Sequence, residues 1–151
     1  MDITTIKTLG GLKTQDYKTK PVKDELRDNL IKNIKQNIDS FEGVIGYENT
    51  VIPQVERAIL SKHNVNLLGL RGQAKTMIAR KMVGLLDEYI PMVKGSEIND
   101  DPLKPISRFA QEQIEKHGDD TPISWLHRED RFSEKLATPD VSVADLIGDI
   151  D

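Results

Sequence analysis

At 151 residues, 37% of them hydrophobic and with a mean hydropathy of −0.47, the chain has the size and balance of one domain around one core. It contains no cysteine and carries a net charge of −4, which excludes disulfides, thiolate zinc sites and cysteine nucleophiles, and no apolar run approaches the roughly 20 residues of a membrane-spanning helix. Residues 1–94 hold more lysine and arginine than acid, and residues 95–151 the reverse, a patterning common on solvated surfaces.

Met1 to Lys20 is polar, with Gly10-Gly11 and scattered lysines and threonines, and it reads as a flexible leader without a sustained period. Met1 to Thr8 carries Asp2 and Lys7 and lacks the apolar stretch of a secretory signal, so a cytoplasmic protein is expected. From Pro21 the pattern changes. Leu26, Leu30, Ile31, Ile34 and Ile38 recur on one side of a helix reaching about Asp39, with Asp24 and Glu25 in its first turn. Residues 21–40 are therefore expected to form an N-terminal helix packed on a core. Its other face bears Lys23, Arg27, Lys32 and Lys35 mixed with acids and without aromatics, a poor nucleic-acid surface. Phe41 to Gly46 is an apolar segment punctuated by two glycines. A second helix follows, with Val51, Ile52, Val55 and Ile59 on one face and Pro53 in its first turn.

The next stretch, Asn64 to Ala79, carries the chemistry. Val65, Leu67 and Leu68 read as a short strand, and Met77, Ile78, Met82, Val83, Leu85, Leu86 and Tyr89 recur at helical spacing. Between them stand Gly69, Gly72, Gln73, Ala74, Lys75 and Thr76. The phosphate-binding pattern G-x-x-x-x-G-K-[ST] is met at Gly69, Lys75 and Thr76, while Ala74 takes the place of the second glycine. The chemistry needs backbone N–H groups curled around a phosphate, an ammonium on its oxygens and a hydroxyl for Mg²⁺ at a helix N-terminus. Alanine keeps the N–H, and a glycine is required only where φ is positive. A helical backbone at Ala74 is therefore the condition under which the motif works. Without that context, the stretch is a strand, a turn and a helix with a surface lysine.

Ile90 to Val93 is a strand candidate leading into the acidic GSEINDDPLKP, and helix returns from Pro105 to Lys116. Thr121 to Leu126 reads as a further strand, with Pro122 placing it at an edge. The segment from His127 to Lys135 is charged. Asp140 to Asp151 starts extended and turns helical at Ser142, with Asp145 as a capping partner. His63, His117 and His127 lack metal-ligand spacing. Asp100-Asp101 and Asp119-Asp120 sit beside proline and glycine, as turn residues do, and Trp125 is expected in a core or interface.

Taken together, Phe41-x-x-Val-Ile-Gly46, the helix after it and the unit carrying GLRGQAKT resemble the opening of an AAA+ ATPase module, closest to the MoxR and magnesium-chelatase I-subunit branch. In that branch alanine before the lysine is a familiar variant. GSEINDDPLKPIS and RFSEKLATPDVSVADLIGDID carry the resemblance further, so that it covers residues 41–151. It implies an α/β fold, the helix-rich front end of a P-loop NTPase with an incomplete parallel sheet. It also implies ATP and Mg²⁺ as cofactors. Lys75 is then the ligand of the β and γ phosphates, Thr76 the Mg²⁺ ligand, and the amides of Gly72 to Thr76 the phosphate cradle, with Val44, Ile45 and Gly46 lining the adenine pocket. Arg71 and Gln73 are loop-tip residues. Such ATPases also need an acidic Walker B pair after a later strand. Neither Glu129-Asp130, preceded by His127 and Arg128, nor Asp149 to Asp151 meets that pattern. The chain therefore reads as the N-terminal part of an ATPase, binding ATP without hydrolysing it, from a protein that assembles as a homo-oligomeric ring. The alternative is a non-enzymatic interaction module with a protein partner, derived from such an ATPase. Neither a membrane nor a nucleic acid is expected as a partner.

Overall fold

A computed structural model describes residues 1–69, 73–135 and 138–148. Its elements in chain order are α1 (Leu9–Thr14), α2 (Val22–Lys35), α3 (Val51–Leu60), α4 (Gln73–Val83), β1 (Tyr89–Val93), α5 (Arg108–His117), β2 (Ile123–His127) and α6 (Val143–Ile147), with short 3-10 turns at Ile3–Thr5, Gly118–Asp120 and Arg128–Arg131. None of the described helices is long and apolar enough to cross a membrane.

The helices end where local chemistry dictates. α1, α2 and α3 each close with a residue of left-handed backbone: Asp16, Asn37 and Lys62 at φ 51°, 55° and 58°. After α2, the Ile38 amide bonds the Asn33 carbonyl at 2.9 Å and the Asn37 amide bonds that of Ile34 at 3.2 Å. These paired bonds satisfy the last carbonyls of the helix. The turn stops α2 at Lys35 rather than at Asp39 and leaves Ile34 and Ile38 exposed. α5 starts after Ser107 rather than at the expected Pro105, with the Ser107 hydroxyl accepting from the Ala110 amide, and α6 opens on the expected capping pair of Ser142 and Asp145.

Two apolar clusters organise the packing. The larger joins Leu30 of α2, Phe41 and Val44, the α3 face of Ile52, Val55 and Ile59, Ile78 of α4, and Leu85. The smaller joins Ile6, Leu12 and Ile123, with Tyr17 and Trp125 packed against them. The chain start is thus a packed part of the fold, contrary to the expectation of a leader. The Thr8 side chain caps α1, Leu9 and Leu12 are buried, and Thr8 bridges to Pro122. Gly10-Gly11 suggested flexibility, but in α1 the missing Cβ of Gly11 makes room for a neighbour: one placed there would lie 2.7 Å from Cγ2 of Ile6.

The chain combines helices with strands, as expected, but the sheet is two-stranded and antiparallel. β1 and β2 pair in the register Tyr89–His127 through Val93–Ile123. The expected parallel pairing is absent from this sheet, and Val65 to Leu68 form no strand. Val65 and Leu67 turn their side chains onto the larger cluster while Leu68 is exposed. A short apolar run gave the strand signal, but without a ladder partner such a run does not make a strand.

One buried ion pair ties the two regions. Arg131, following β2, donates two hydrogen bonds to Glu25 of α2 at 2.7 and 2.8 Å, with side chains 11% and 3% exposed. The Asp87 amide also donates to Glu25, at 2.6 Å. Beside this pair, burial and the carboxylates of Asp87, Glu25 and Asp101 push the Tyr17 hydroxyl up to about 12.

Candidate functional site

The site is built on α4. Its far end is anchored where α4 leads into β1. The Asn29 side chain donates to the Leu85 carbonyl at 2.7 Å and to the Asp87 carboxylate at 2.9 Å, and the Arg128 guanidinium donates to the Gly84 carbonyl at 3.3 Å. Midway along, Ile78 is fully buried in the larger cluster. Held in this way, α4 presents its first turn outward, and Lys75 and Thr76 are exposed there.

The helix begins at Gln73, so Ala74 has the helical backbone that the motif requires of a residue other than glycine. Gly69 adopts φ 76°, a conformation that favours glycine. Gly72 and Arg71 lie outside the described residues, as does the side chain of Gln73. The first-turn amides of a helix lack intrahelical acceptors and carry the positive end of its dipole.

Lys75 and Thr76 line a groove of about 500 Å³, to which Phe132, Ser133, Glu134 and Lys135 contribute from the segment after β2. That segment is fastened to α4 by a two-pronged bond from Arg80 to Glu134, both contacts at 3.1 Å. Residues 132–135 lie outside the motif, because their relation to Lys75 is made by the fold and not by spacing in sequence.

Val44 is buried in the core, Ile45 is exposed, and Gly46, at φ 91°, donates its amide to Glu48 at 2.9 Å. The neighbouring Gly43 runs alongside α4: a Cβ on it would be 3.8 Å from Cε of Met77. The segment therefore sits beside the helix that carries Lys75, with Val44 and Ile45 differing in exposure.

Donors for a metal are sparse. Among the described residues no group of three or more His, Cys, Asp or Glu is placed to hold an ion, and the Thr76 hydroxyl stands alone at the start of α4. A single hydroxyl supplies at most one of the six ligands that an octahedral cation such as Mg²⁺ takes. The expected turn residue Asp100 is instead a buried hub. Its carboxylate accepts from the Ser96 hydroxyl at 2.6 Å, the Ile106 amide at 2.8 Å, the Ser107 amide at 2.9 Å and the Ser107 hydroxyl. Burial alone would raise its pKa, but these bonds hold the carboxyl well below the usual range. All its acceptor capacity is spent on the loop that precedes α5.

His127 accepts from the Glu129 amide through Nδ1 and packs edge-on against Tyr89. Trp125 donates to the Ile6 carbonyl at 2.9 Å. No family model, curated protein or solved structure matches the chain.

Proposed function

We propose that the chain is the ATP-binding N-terminal part of an AAA+ ATPase of the MoxR and magnesium-chelatase I-subunit-like branch. The complete protein would couple Mg²⁺-dependent ATP hydrolysis to remodelling or metal insertion, as a homo-oligomer. The observation that carries this reading is the start of α4 at Gln73, which sets Ala74 in helical geometry and Lys75 and Thr76 in an exposed first turn on a groove.

In this role the Lys75 ammonium holds the β and γ oxygens, the first-turn amides bond phosphate, and the Thr76 hydroxyl ligates Mg²⁺. Ile45 and Gly46, with Val44 beneath them, form the adenine side. Mg²⁺ in such a site neutralises charge on the transferring phosphoryl group. Glu129 and Asp130 stand exposed in the 3-10 turn after β2, and neither is assigned the role of positioning water. The chain by itself therefore binds ATP and does not turn it over.

Calorimetric titration with Mg-ATP tests the reading. Binding is expected, weakened about tenfold or more by Lys75→Ala, whose charge-assisted bonds to phosphate are lost. Absence of binding at millimolar ATP removes the site, and Mg²⁺-dependent hydrolysis that Lys75→Ala abolishes overturns the claim of no turnover. The alternative, a non-enzymatic interaction module, is favoured by one observation: Ile45 and Leu68 are 84% and 80% exposed near α4 and the loop before it. Self-association or partner capture that is indifferent to ATP, measured by size exclusion with light scattering, supports that reading instead.

A further inference from the structure

The groove beside α4 contains two cationic side chains from distant parts of the chain. Lys75 comes from the first turn of α4 and Lys135 from the segment after β2, and both are exposed. Neither takes part in an ion pair among the described residues. Two hydroxyls, Thr76 and Ser133, line the same groove. Among the described residues the one acid lining it, Glu134, is turned onto Arg80 by two hydrogen bonds. Arg80 stands four residues after Thr76, on the same face of α4, so this contact fastens the segment alongside the first turns of the helix. An exposed ion pair contributes little to stability. Its consequence here is positional: it occupies the carboxylate that would otherwise repel an anion and leaves Lys75 and Lys135, which line one groove, without an acidic partner among the described residues.

We propose that Lys135 is a second phosphate ligand of this groove, that the Arg80–Glu134 pair positions it, and that the ligand is a polyphosphate chain long enough to meet Lys75 and Lys135 together. The proposal rests on the reading of Lys75 and Thr76 as a phosphate site and extends it to residues outside the motif. Two like charges sharing a groove repel one another, and an anion that contacts both relieves the repulsion while gaining two charge-assisted contacts. A polyphosphate offers several charged oxygens along its length, so that each lysine can be met by a different phosphate group. The cleft volume of about 500 Å³ lies within the range of small-molecule sites.

The test is a fluorescence titration of the whole chain with an N-methylanthraniloyl ATP analogue in Mg²⁺, with inorganic tripolyphosphate and inorganic phosphate as competitors. Tripolyphosphate is expected to displace the analogue and phosphate is not. Lys135→Ala is expected to weaken binding about tenfold and Lys135→Arg to restore most of it, as for a charge that touches the ligand. Arg80→Glu should weaken binding, and the exchanged pair Arg80→Glu with Glu134→Arg should recover it, with unfolding midpoints unchanged throughout. Wild-type binding that Lys75→Ala weakens and Lys135→Ala leaves unaltered overturns the role of Lys135 while leaving the phosphate site standing. No binding by the wild type overturns both.

Discussion

The two apolar clusters are assembled in different ways. The larger one draws on residues 26–85, nearly consecutive in sequence and mostly helical. The smaller one joins residues 6–17 to residues 123–125, and its bond from Trp125 to Ile6 spans 119 positions. A cluster made by neighbouring helices is announced by helical periodicity, whereas one made by the two flanks of the chain has no local signal. Ordering the second requires closing a long loop before any contact repays it. The first is therefore the candidate nucleus, and the second depends on what ties it on.

That tie is Glu25–Arg131, and removing one partner has the largest expected effect. Glu25→Gln leaves the Arg131 guanidinium buried without its counter-charge, at a cost of about 3–5 kcal/mol. Chemical denaturation measures it. If the pair couples the clusters, the transition also broadens or splits as the smaller one separates. Next comes Leu12→Ala, which empties a fully buried position and is expected to cost about 3 kcal/mol. Hydrogen exchange should then show residues 6–17 and β2 losing protection while α2 and α3 keep theirs. Equal loss in both would show a single cooperative unit.

The smallest effect concerns the loop between β1 and α5. Asp100→Asn removes a charge that four donors satisfy and is expected to cost about 1–3 kcal/mol at neutral pH. Because the folded carboxyl holds its proton less tightly than the unfolded one, its contribution is complete above the unfolded value near 3.8. It declines as acid protonates the unfolded chain first. Melting curves of the two proteins should differ by a constant amount from pH 7 down to about pH 4, and the difference should narrow progressively as the pH falls further. A gap that does not narrow there would mean that the carboxylate charge is not what stabilises the loop.

The same contrast explains what could be read in advance. α2 and α3 were legible because Leu26, Leu30, Val55 and Ile59 recur every three or four residues. The end of α2 was not, because Ile34 and Ile38 extend the apolar stripe into a segment where Asn37 turns left-handed. Val65, Leu67 and Leu68 make a short apolar run like a strand's, yet hydrogen-bonding partners are a property of the assembled sheet. Asp100 looked like a turn residue, one of the pair Asp100-Asp101 beside Pro102. Only the approach of Ser96 and Ser107 makes it a hub.

For the candidate site, sequence determined the chemical inventory: a glycine turn, a lysine and a threonine at the start of an amphipathic helix, in an order suited to phosphate. Covalent spacing fixes such an inventory, since residues four apart on a helix share a face whatever surrounds them. Tertiary structure alone decided that α4 starts early enough to make Ala74 helical, that Ile6 and Leu12 pack with Ile123, and that Lys135 shares a groove with Lys75. Those outcomes depend on contacts between residues far apart in the chain, formed when burial and hydrogen bonding outweigh the entropy of loop closure.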